Sequence, residues 1–225
     1  MLGKRNAVPH IIGTLFRFVK EGDISTPDGG TDGADQAVPV DRPVRADARR
    51  NLDALLTAAM AVFAESGVDA PVREIAERAG VGVGTVYRHF PQRSDLIVAV
   101  LKGQFDACAD DAAKLAAEFA PDEALDRWIG RYVELMSTKR GFAAALHSGD
   151  PAYHGLRDYF MQRMEPAMRG LLERAAETGA IRGGVNAWDF LQAVATLSHG
   201  RDGEQAESAR GMVRLLVDGL RYNSR

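Results

Sequence analysis

The sequence has little cysteine, few aromatic side chains and no long apolar run, and its acidic and basic residues nearly balance. Its 225 residues include one cysteine, Cys108, which excludes an internal disulfide and a cysteine-built zinc site. A lone thiol favours the reducing cytoplasm. The longest apolar stretch near the start, residues 11–19, contains Arg17 and is far shorter than the roughly 20 residues that span a bilayer. We therefore expect a cytoplasmic protein without a membrane partner.

The formal net charge of −3 is too small to indicate a nucleic-acid partner by itself. The charge is unevenly distributed, because only residues 42–103 contain more basic than acidic side chains. A nucleic-acid partner must therefore be argued from where the cations lie and not from their number.

The first 43 residues have the composition of a flexible N-terminal extension. Residues 25–43 are dense in Gly, Asp and Pro, which favour turns and leave little to bury. Residues 1–24 contain apolar side chains at helical spacing, but a short tethered helix is marginal in water. Two interpretations stay open for residues 1–24: a loose chain terminus and an arm that binds a surface.

Beyond residue 45, apolar residues recur every three or four positions, and no alternating run of β-branched residues is long enough for a strand. This pattern predicts an all-α fold. The first predicted helix begins at Asp47, a suitable N-cap, and ends at Gly67. Further predicted helices cover residues 71–79, residues 83–89 and residues 91 to about 113, followed by amphipathic helices to the end of the chain.

The second and third predicted helices have the spacing of a helix-turn-helix motif. Ile75, Ala76 and Ala79 form the inner face of the second helix, and Gly80 supplies the left-handed residue that reverses the chain. Val86 anchors the third helix in the core. This arrangement leaves the opposite face of the third helix pointing outward.

The outward face of the third predicted helix is small, hydroxylated, aromatic and cationic. With Val86 pointing inward and about 100° per residue, the outward residues are Gly84, Thr85, Tyr87 and Arg88, with Val83 and His89 at the edges. Such a face suits the major groove of DNA, because hydroxyl and guanidinium groups can reach base edges or phosphates. The cations expected to position it are Arg45, Arg49, Arg73 and Arg93.

From Asp47 to Val100 the sequence resembles the DNA-binding domain of TetR-type transcriptional regulators, and the segment VREIAERAGVGVGTVYRHFPQRSDLIVAV carries the resemblance. The resemblance implies an all-α homodimer with a three-helix, helix-turn-helix DNA-binding domain at residues 44–103. It also implies a helical bundle at residues 104–225 for ligand binding and dimerisation. The implied partners are a double-stranded DNA operator and a small-molecule effector that weakens operator binding.

The resemblance also implies operator contacts at particular positions of this chain. The matching residues are Arg73, Val83, Thr85, Tyr87 and His89, and Arg93 replaces the usual phosphate-binding lysine. Gly82 stands where a capping serine is common. We therefore expect the third predicted helix, the recognition helix of the motif, to have a weaker N-terminal cap. The loss of helix stability is about 0.5 kcal/mol.

The C-terminal half offers candidates for a ligand pocket but no motif. The aromatic, Met and His candidates are Trp128, Tyr132, Met136, Phe142, His147, Phe160, Met161, Met164 and His199. The alternative for each is packing in the bundle core, the usual role of such stripes at helical spacing. His147, Asp150 and His154 are candidate metal ligands, but Gly149 and Pro151 interrupt the helix that would align them. We therefore predict no metal site and no cofactor.

These observations predict a ligand-responsive, sequence-specific transcriptional regulator, more precisely a repressor that a small molecule releases from its operator. Two alternatives stay open. One is a constitutive or architectural DNA binder without an inducer. The other is a helical-bundle enzyme, against which the sequence shows no paired carboxylates, activated nucleophile or phosphate-binding loop at recognisable spacing. We predict that the protein is not an enzyme.

Overall fold

The regular structure in the described part of the chain is helical, which confirms the predicted all-α fold. The computed structural model describes residues 42–138, 142–198 and 204–221, and no β-strand occurs among them. The helices are α1 (Arg42–Ser66), α2 (Val72–Ala79), α3 (Val83–His89), α4 (Arg93–Glu118), α5 (Pro121–Thr138), α6 (Ala143–Leu146), α7 (Leu156–Glu177), α8 (Ala187–Ser198) and α9 (Glu204–Arg221), with a 3₁₀ turn at Pro151–Tyr153.

Two helix boundaries differ by about five residues from the sequence-based expectation, and the starts of α2 and α4 differ by one and two residues. Helix α1 begins at Arg42 and not at Asp47, since a proline at position 43 is tolerated in the first turn of a helix. Helix α4 continues past residue 113 to Glu118, because Leu115 packs against the core and extends the buried stripe. None of the described helices is long and apolar enough to cross a membrane.

By its backbone contacts the chain divides into two units, residues 1–49 and residues 50–225. The second unit has one continuous apolar core that reaches from Leu55 on α1 to Leu220 on α9. The boundary expected between residues 103 and 104 falls inside α4. The division into DNA-binding and ligand-binding domains therefore stays a prediction.

Aromatic side chains of α4, α5 and α7 fill the centre of this core. The rings of Trp128 and Tyr132 are stacked, with centroids 5.7 Å apart, and both side chains are buried. Trp128 Nε1 donates to the Cys108 carbonyl oxygen at 2.7 Å. Phe105 and Phe160 meet edge to face at 5.0 Å. Truncating a buried aromatic residue of this kind to alanine typically destabilises a protein by about 3–5 kcal/mol, so this cluster fixes the three helices together.

A polar network holds α7 against the outer face of α4. The Asp106 carboxylate accepts hydrogen bonds from the Tyr159 hydroxyl at 2.7 Å and from Arg163 Nε at 2.6 Å. Arg163 also donates to Asp110 at 2.6 Å. These hydrogen bonds are charge-assisted, and the hydrogen bond raises the pKa of the Tyr159 hydroxyl. The network fixes the register of α7 along α4.

Gly80 ends α2 in the left-handed region, with φ = 68°, and an added Cβ there would meet no atom within 4 Å. We predict that Gly80→Ala lowers the free energy of unfolding by about 1–2 kcal/mol, since an L-residue is strained in this conformation. As a control, Gly130→Ala replaces an exposed glycine within α5 and should raise the same quantity by up to about 1 kcal/mol. Urea unfolding of the two variants checks this, and equal stability of both would contradict it.

Candidate nucleic-acid interface

Helices α2 and α3 form a helix-turn-helix unit whose inner side is closed by buried apolar residues. Ile75 and Ala76 of α2 and Val86 of α3 are almost completely buried. The turn between them is closed by a hydrogen bond of 3.0 Å from the Val81 amide to the Ala76 carbonyl oxygen, beyond the left-handed Gly80. This pair of interactions fixes the angle of α3 to α2.

The opposite side of α3 faces outward, in the orientation expected from the helical period. The Tyr87 side chain is 53% exposed and Val83 is 37% exposed, so neither belongs to the core. Gly84, Arg88 and His89 are also exposed, and Thr85 is half-buried beside them. This face carries two basic side chains in its last turn and no acidic residue. Contact of these residues with DNA stays a prediction.

The N-terminus of α3 has no side-chain cap. Gly82 has extended backbone angles at the N-cap position, and the Thr85 amide donates to the Gly82 carbonyl oxygen at 2.8 Å. Because glycine has no side chain to accept their hydrogen bonds, the remaining backbone amides of the first turn are available to other acceptors. These amides lie at the same end of the helix as Val83, and they can donate to a phosphate oxygen of a bound duplex.

The flanking arginines differ in how firmly they are held. Arg73 is exposed on α2, where its Nε donates to Glu77 at 2.8 Å. Such a surface pair is worth less than about 1 kcal/mol, so Arg73 can exchange it for a phosphate. Arg93 is half-buried and donates to the carbonyl oxygen of Val68, which ties the start of α4 to the turn after α1. The side chains of Arg45 and Arg49 lie outside the described part of the structure.

The residues predicted to line a ligand pocket are mostly core residues. Their buried members are Trp128, Tyr132, Phe142, Phe160 and Met164. Met136 and Met161 are half-buried and His147 is exposed, while His199 lies outside the described residues. None of the described candidates lines the cavity between α1, α4 and α5 or the cavity near the start of α4. The physical reason is that aromatic and Met side chains at helical spacing fill the space between helices with one another.

A cavity of about 450 Å³ lies between α1, α4 and α5. Its apolar lining includes Leu56, Met60, Val100 and Leu135, and Gln104 also lines it, with its amide atoms buried behind the wall. The remaining lining residues are Thr57, Gly103, Ala107, Cys108, Asp111, Arg131 and Glu134. The sequence signal for this site was a glutamine on the inner face of α4, three residues after the buried Leu101, where an apolar residue would be expected.

A second cavity, of about 330 Å³, lies near the start of α4. Its polar lining includes Asp69, Arg93, Ser94 and Asp150, and Tyr153 closes one side. No group of three or more His, Cys, Asp or Glu side chains able to hold a metal ion occurs within residues 42–138, 142–198 and 204–221. His147, Asp150 and His154, all within these ranges, form no such group.

Two family models match the chain in separate segments. Residues 55–100 match the bacterial regulatory proteins of the tetR family, and residues 120–222 match the C-terminal domain of SbtR-like transcriptional regulators. The TetR transcriptional regulator SCO0520 from Streptomyces coelicolor is 36% identical, with a TM-score of 0.63, and the match covers 75% of this chain and 97% of that one. This chain belongs to the TetR family of transcriptional regulators.

Other members of the TetR family show the same likeness. A TetR regulator from Mycobacterium vanbaalenii is 33% identical, with a TM-score of 0.62, over 80% of this chain and 99% of its own. The transcriptional repressor KstR of Mycolicibacterium smegmatis is 38% identical over 81 residues, which are 34% of this chain. The chain spans about two fifths of the length of that relative, 39%.

Cys108 at the wall of the larger cavity provides a chemical test of this geometry. Burial raises the pKa of the Cys108 thiol to about 12, and the neighbouring Asp111 adds to the rise. We predict that iodoacetamide alkylates the native chain at a rate that climbs about tenfold per pH unit from pH 8 to pH 10, because only the thiolate reacts. The urea-unfolded chain should instead level off near pH 9. A native rate that equals the rate of the urea-unfolded chain and levels off near pH 9 would contradict the burial of this thiol.

Proposed function

We propose that this TetR-family protein is a ligand-responsive repressor that binds a specific DNA operator through α3 and releases it when a small molecule binds. The observation that carries the proposal is the exposed, acid-free face of α3 opposite the buried Val86. A helix of this kind can enter the major groove while its inner face stays in the protein core.

The side chains of α3 suggest separate roles in this complex. Gly84 allows close approach to the groove floor, and Thr85 and Arg88 can contact base edges. Tyr87 and His89 suit phosphate oxygens, as does Arg73 on α2. Base contacts set the sequence preference, whereas phosphate contacts set the affinity for all sequences and its dependence on salt.

Two observations support control by a small molecule. The 450 Å³ cavity between α1, α4 and α5 is within the size range of sites for small ligands. Helix α4 lines this cavity and begins at Arg93, four residues after α3 ends at His89. A ligand that changes the position of α4 can therefore act on the recognition helix. The relative KstR is a transcriptional repressor, which supports the proposal that this chain represses transcription.

The exposed face of α9 suggests that two copies of the chain pair in solution. Val213, Val217 and Leu220 face the core, while Met212 and Leu215 on the other side are 41% and 63% exposed. Exposed apolar residues on one helix face are typical of a protein–protein contact. A two-fold dimer would contain two copies of α3, which matches the two half-sites of a palindromic operator.

The DNA-binding roles are tested with an operator selected by the purified chain from a random duplex library. We predict that Tyr87→Ala lowers affinity for the operator and for unrelated DNA by a similar factor, and lowers the slope of log K against log salt by about one. Thr85→Ala should change which sequences are preferred. Fluorescence anisotropy at several salt concentrations measures both effects.

The control for these two variants is Gln162→Ala, an exposed substitution on α7 that should leave binding unchanged. Arg93→Ala is a poor test of a phosphate contact, since it also removes the partner of the Val68 carbonyl oxygen. Equal loss of affinity in Tyr87→Ala and Thr85→Ala, with sequence preference unchanged in both, would contradict the division of roles.

The pairing of two chains is tested on α9. We predict that Leu215→Arg shifts the chain from dimer to monomer in sedimentation equilibrium, because it places a charge in an apolar contact. The matched control Gln162→Arg adds the same charge to α7 and should stay dimeric. A Leu215→Arg protein that sediments as a dimer would show that this face of α9 is not the contact.

A further inference from the structure

The cavity between α1, α4 and α5 takes five of its lining residues from a stretch that neither family model covers. The tetR match ends at residue 100 and the C-terminal match begins at residue 120. The five residues between them are Gly103, Gln104, Ala107, Cys108 and Asp111 of α4. The family matches therefore assign no role to this wall of the cavity.

The amide of Gln104 is the unusual group on this wall. Its Oε1 and Nε2 atoms are both buried, and neither has a hydrogen-bond partner among the residues that the structure describes. Buried polar groups in folded proteins are nearly always paired, because an unpaired one destabilises the folded state. An unpaired amide beside a cavity points to a partner that enters the cavity.

The hydroxyl and the charged side chains of the lining already have partners within the protein. The Thr57 hydroxyl donates to the Asp53 carbonyl oxygen at 2.8 Å. Asp111 pairs with Lys114 at 2.9 Å, and Arg131 lies 3.8 Å from Glu134. The charges at the rim are thus balanced locally by opposite charges, which selects against a ligand that brings an uncompensated charge.

We propose that this cavity binds an uncharged molecule that carries a primary amide or a lactam on an apolar body. The carbonyl oxygen of such a group accepts a hydrogen bond from Gln104 Nε2 while its N–H donates to Gln104 Oε1. A reciprocal pair of this kind requires the N–H and C=O on the same side of the ligand, as primary amides and lactams have them. The flexible side chain of Gln104 presents its amide by rotation, and the apolar body lies against Leu56, Met60 and Leu135.

The regulatory meaning of this site rests on the proposed function. The ligand would lie between α1, which contributes Leu56 and Met60, and α4, which begins just after the recognition helix. Helix α1 is in turn joined to α2 by two hydrogen bonds from Arg78 to Glu65, of 2.8 and 2.7 Å. A molecule inserted between α1 and α4 therefore contacts the helices that flank the helix-turn-helix unit on both sides. We expect it to displace them and to lower operator affinity.

The site is tested with three probes that share a heptyl chain and have equal numbers of non-hydrogen atoms: octanamide, methyl heptyl ketone and octanoate. Each is titrated into the full chain without DNA and followed by protein NMR. We expect octanamide to bind at least about tenfold more tightly than the ketone, which lacks the N–H, since about 1.4 kcal/mol corresponds to a factor of ten. Octanoate should bind more weakly than octanamide.

The variant Gln104→Leu should bind octanamide and the ketone equally, because it removes the paired donor and acceptor. Gln162→Leu, on the exposed face of α7, is the matched control and should keep the preference for octanamide. A thermal melt checks that each variant folds, and Gln104→Met is the second variant if Gln104→Leu does not.

Four results would overturn the proposal: no saturable binding of octanamide, equal affinity for octanamide and ketone, an octanamide preference that survives in the Gln104 variants, or tightest binding of octanoate. Operator binding is measured separately on the same protein. A chain that binds octanamide but no DNA would refute the proposed function and leave the site standing. A chain that binds its operator but not octanamide would refute the site alone.

Discussion

The burial of Val86 is the interaction on which the surface proposed to bind DNA depends. Helix α3 has only seven residues, too few to be stable alone in water, and it lacks a side-chain cap at its N-terminus. It persists because Val86 is packed in the core that also contains Ile75 and Ala76, with the left-handed Gly80 closing the turn between the helices. Everything that α3 exposes follows from this one anchored side chain.

Helix α4 extends this dependence into the rest of the molecule. It begins with a capping box between Gln92 and Asp95, directly after α3, and runs for 26 residues into the aromatic core. Near its start it packs in the core that also contains Ile75 and Val86, and further along its Cys108 carbonyl oxygen accepts a hydrogen bond from the Trp128 indole. One unbroken helix thus begins at the turn after α3 and also lines the cavity. A displacement of α4 at the cavity can therefore reach α3 without crossing a loop.

The sequence was most informative where backbone geometry and burial leave few choices. The helix-turn-helix could be predicted to within one residue, because Gly80, Ala76 and Val86 each satisfy a separate requirement at fixed spacing. The outward orientation of Tyr87 and Arg88 followed from the same period. The start of α1 could not be placed as well, since Asp47 is a good cap but a proline at position 43 also suits a first turn.

The sequence could not decide whether the aromatic and Met residues of the bundle line a ligand site, and the reason is physical. A stripe of aromatic and Met residues has the same pattern whether it lines a space or fills one, and here Trp128, Tyr132 and Phe160 fill it. A cavity forms where the side chains of three helices leave space unfilled. The residue pattern of a single helix therefore does not predict it. Gln104 carried the one local signal, a polar residue on an otherwise apolar face.

Hydrogen–deuterium exchange of the full chain with and without its selected operator tests whether an anchored α3 reads DNA. Peptides covering residues 82–89 should exchange more slowly on the operator than on a scrambled duplex of equal length and charge, with no comparable protection on α7. Exchange at residues 82–89 that is unaffected by the operator, while another surface becomes protected, would contradict the account.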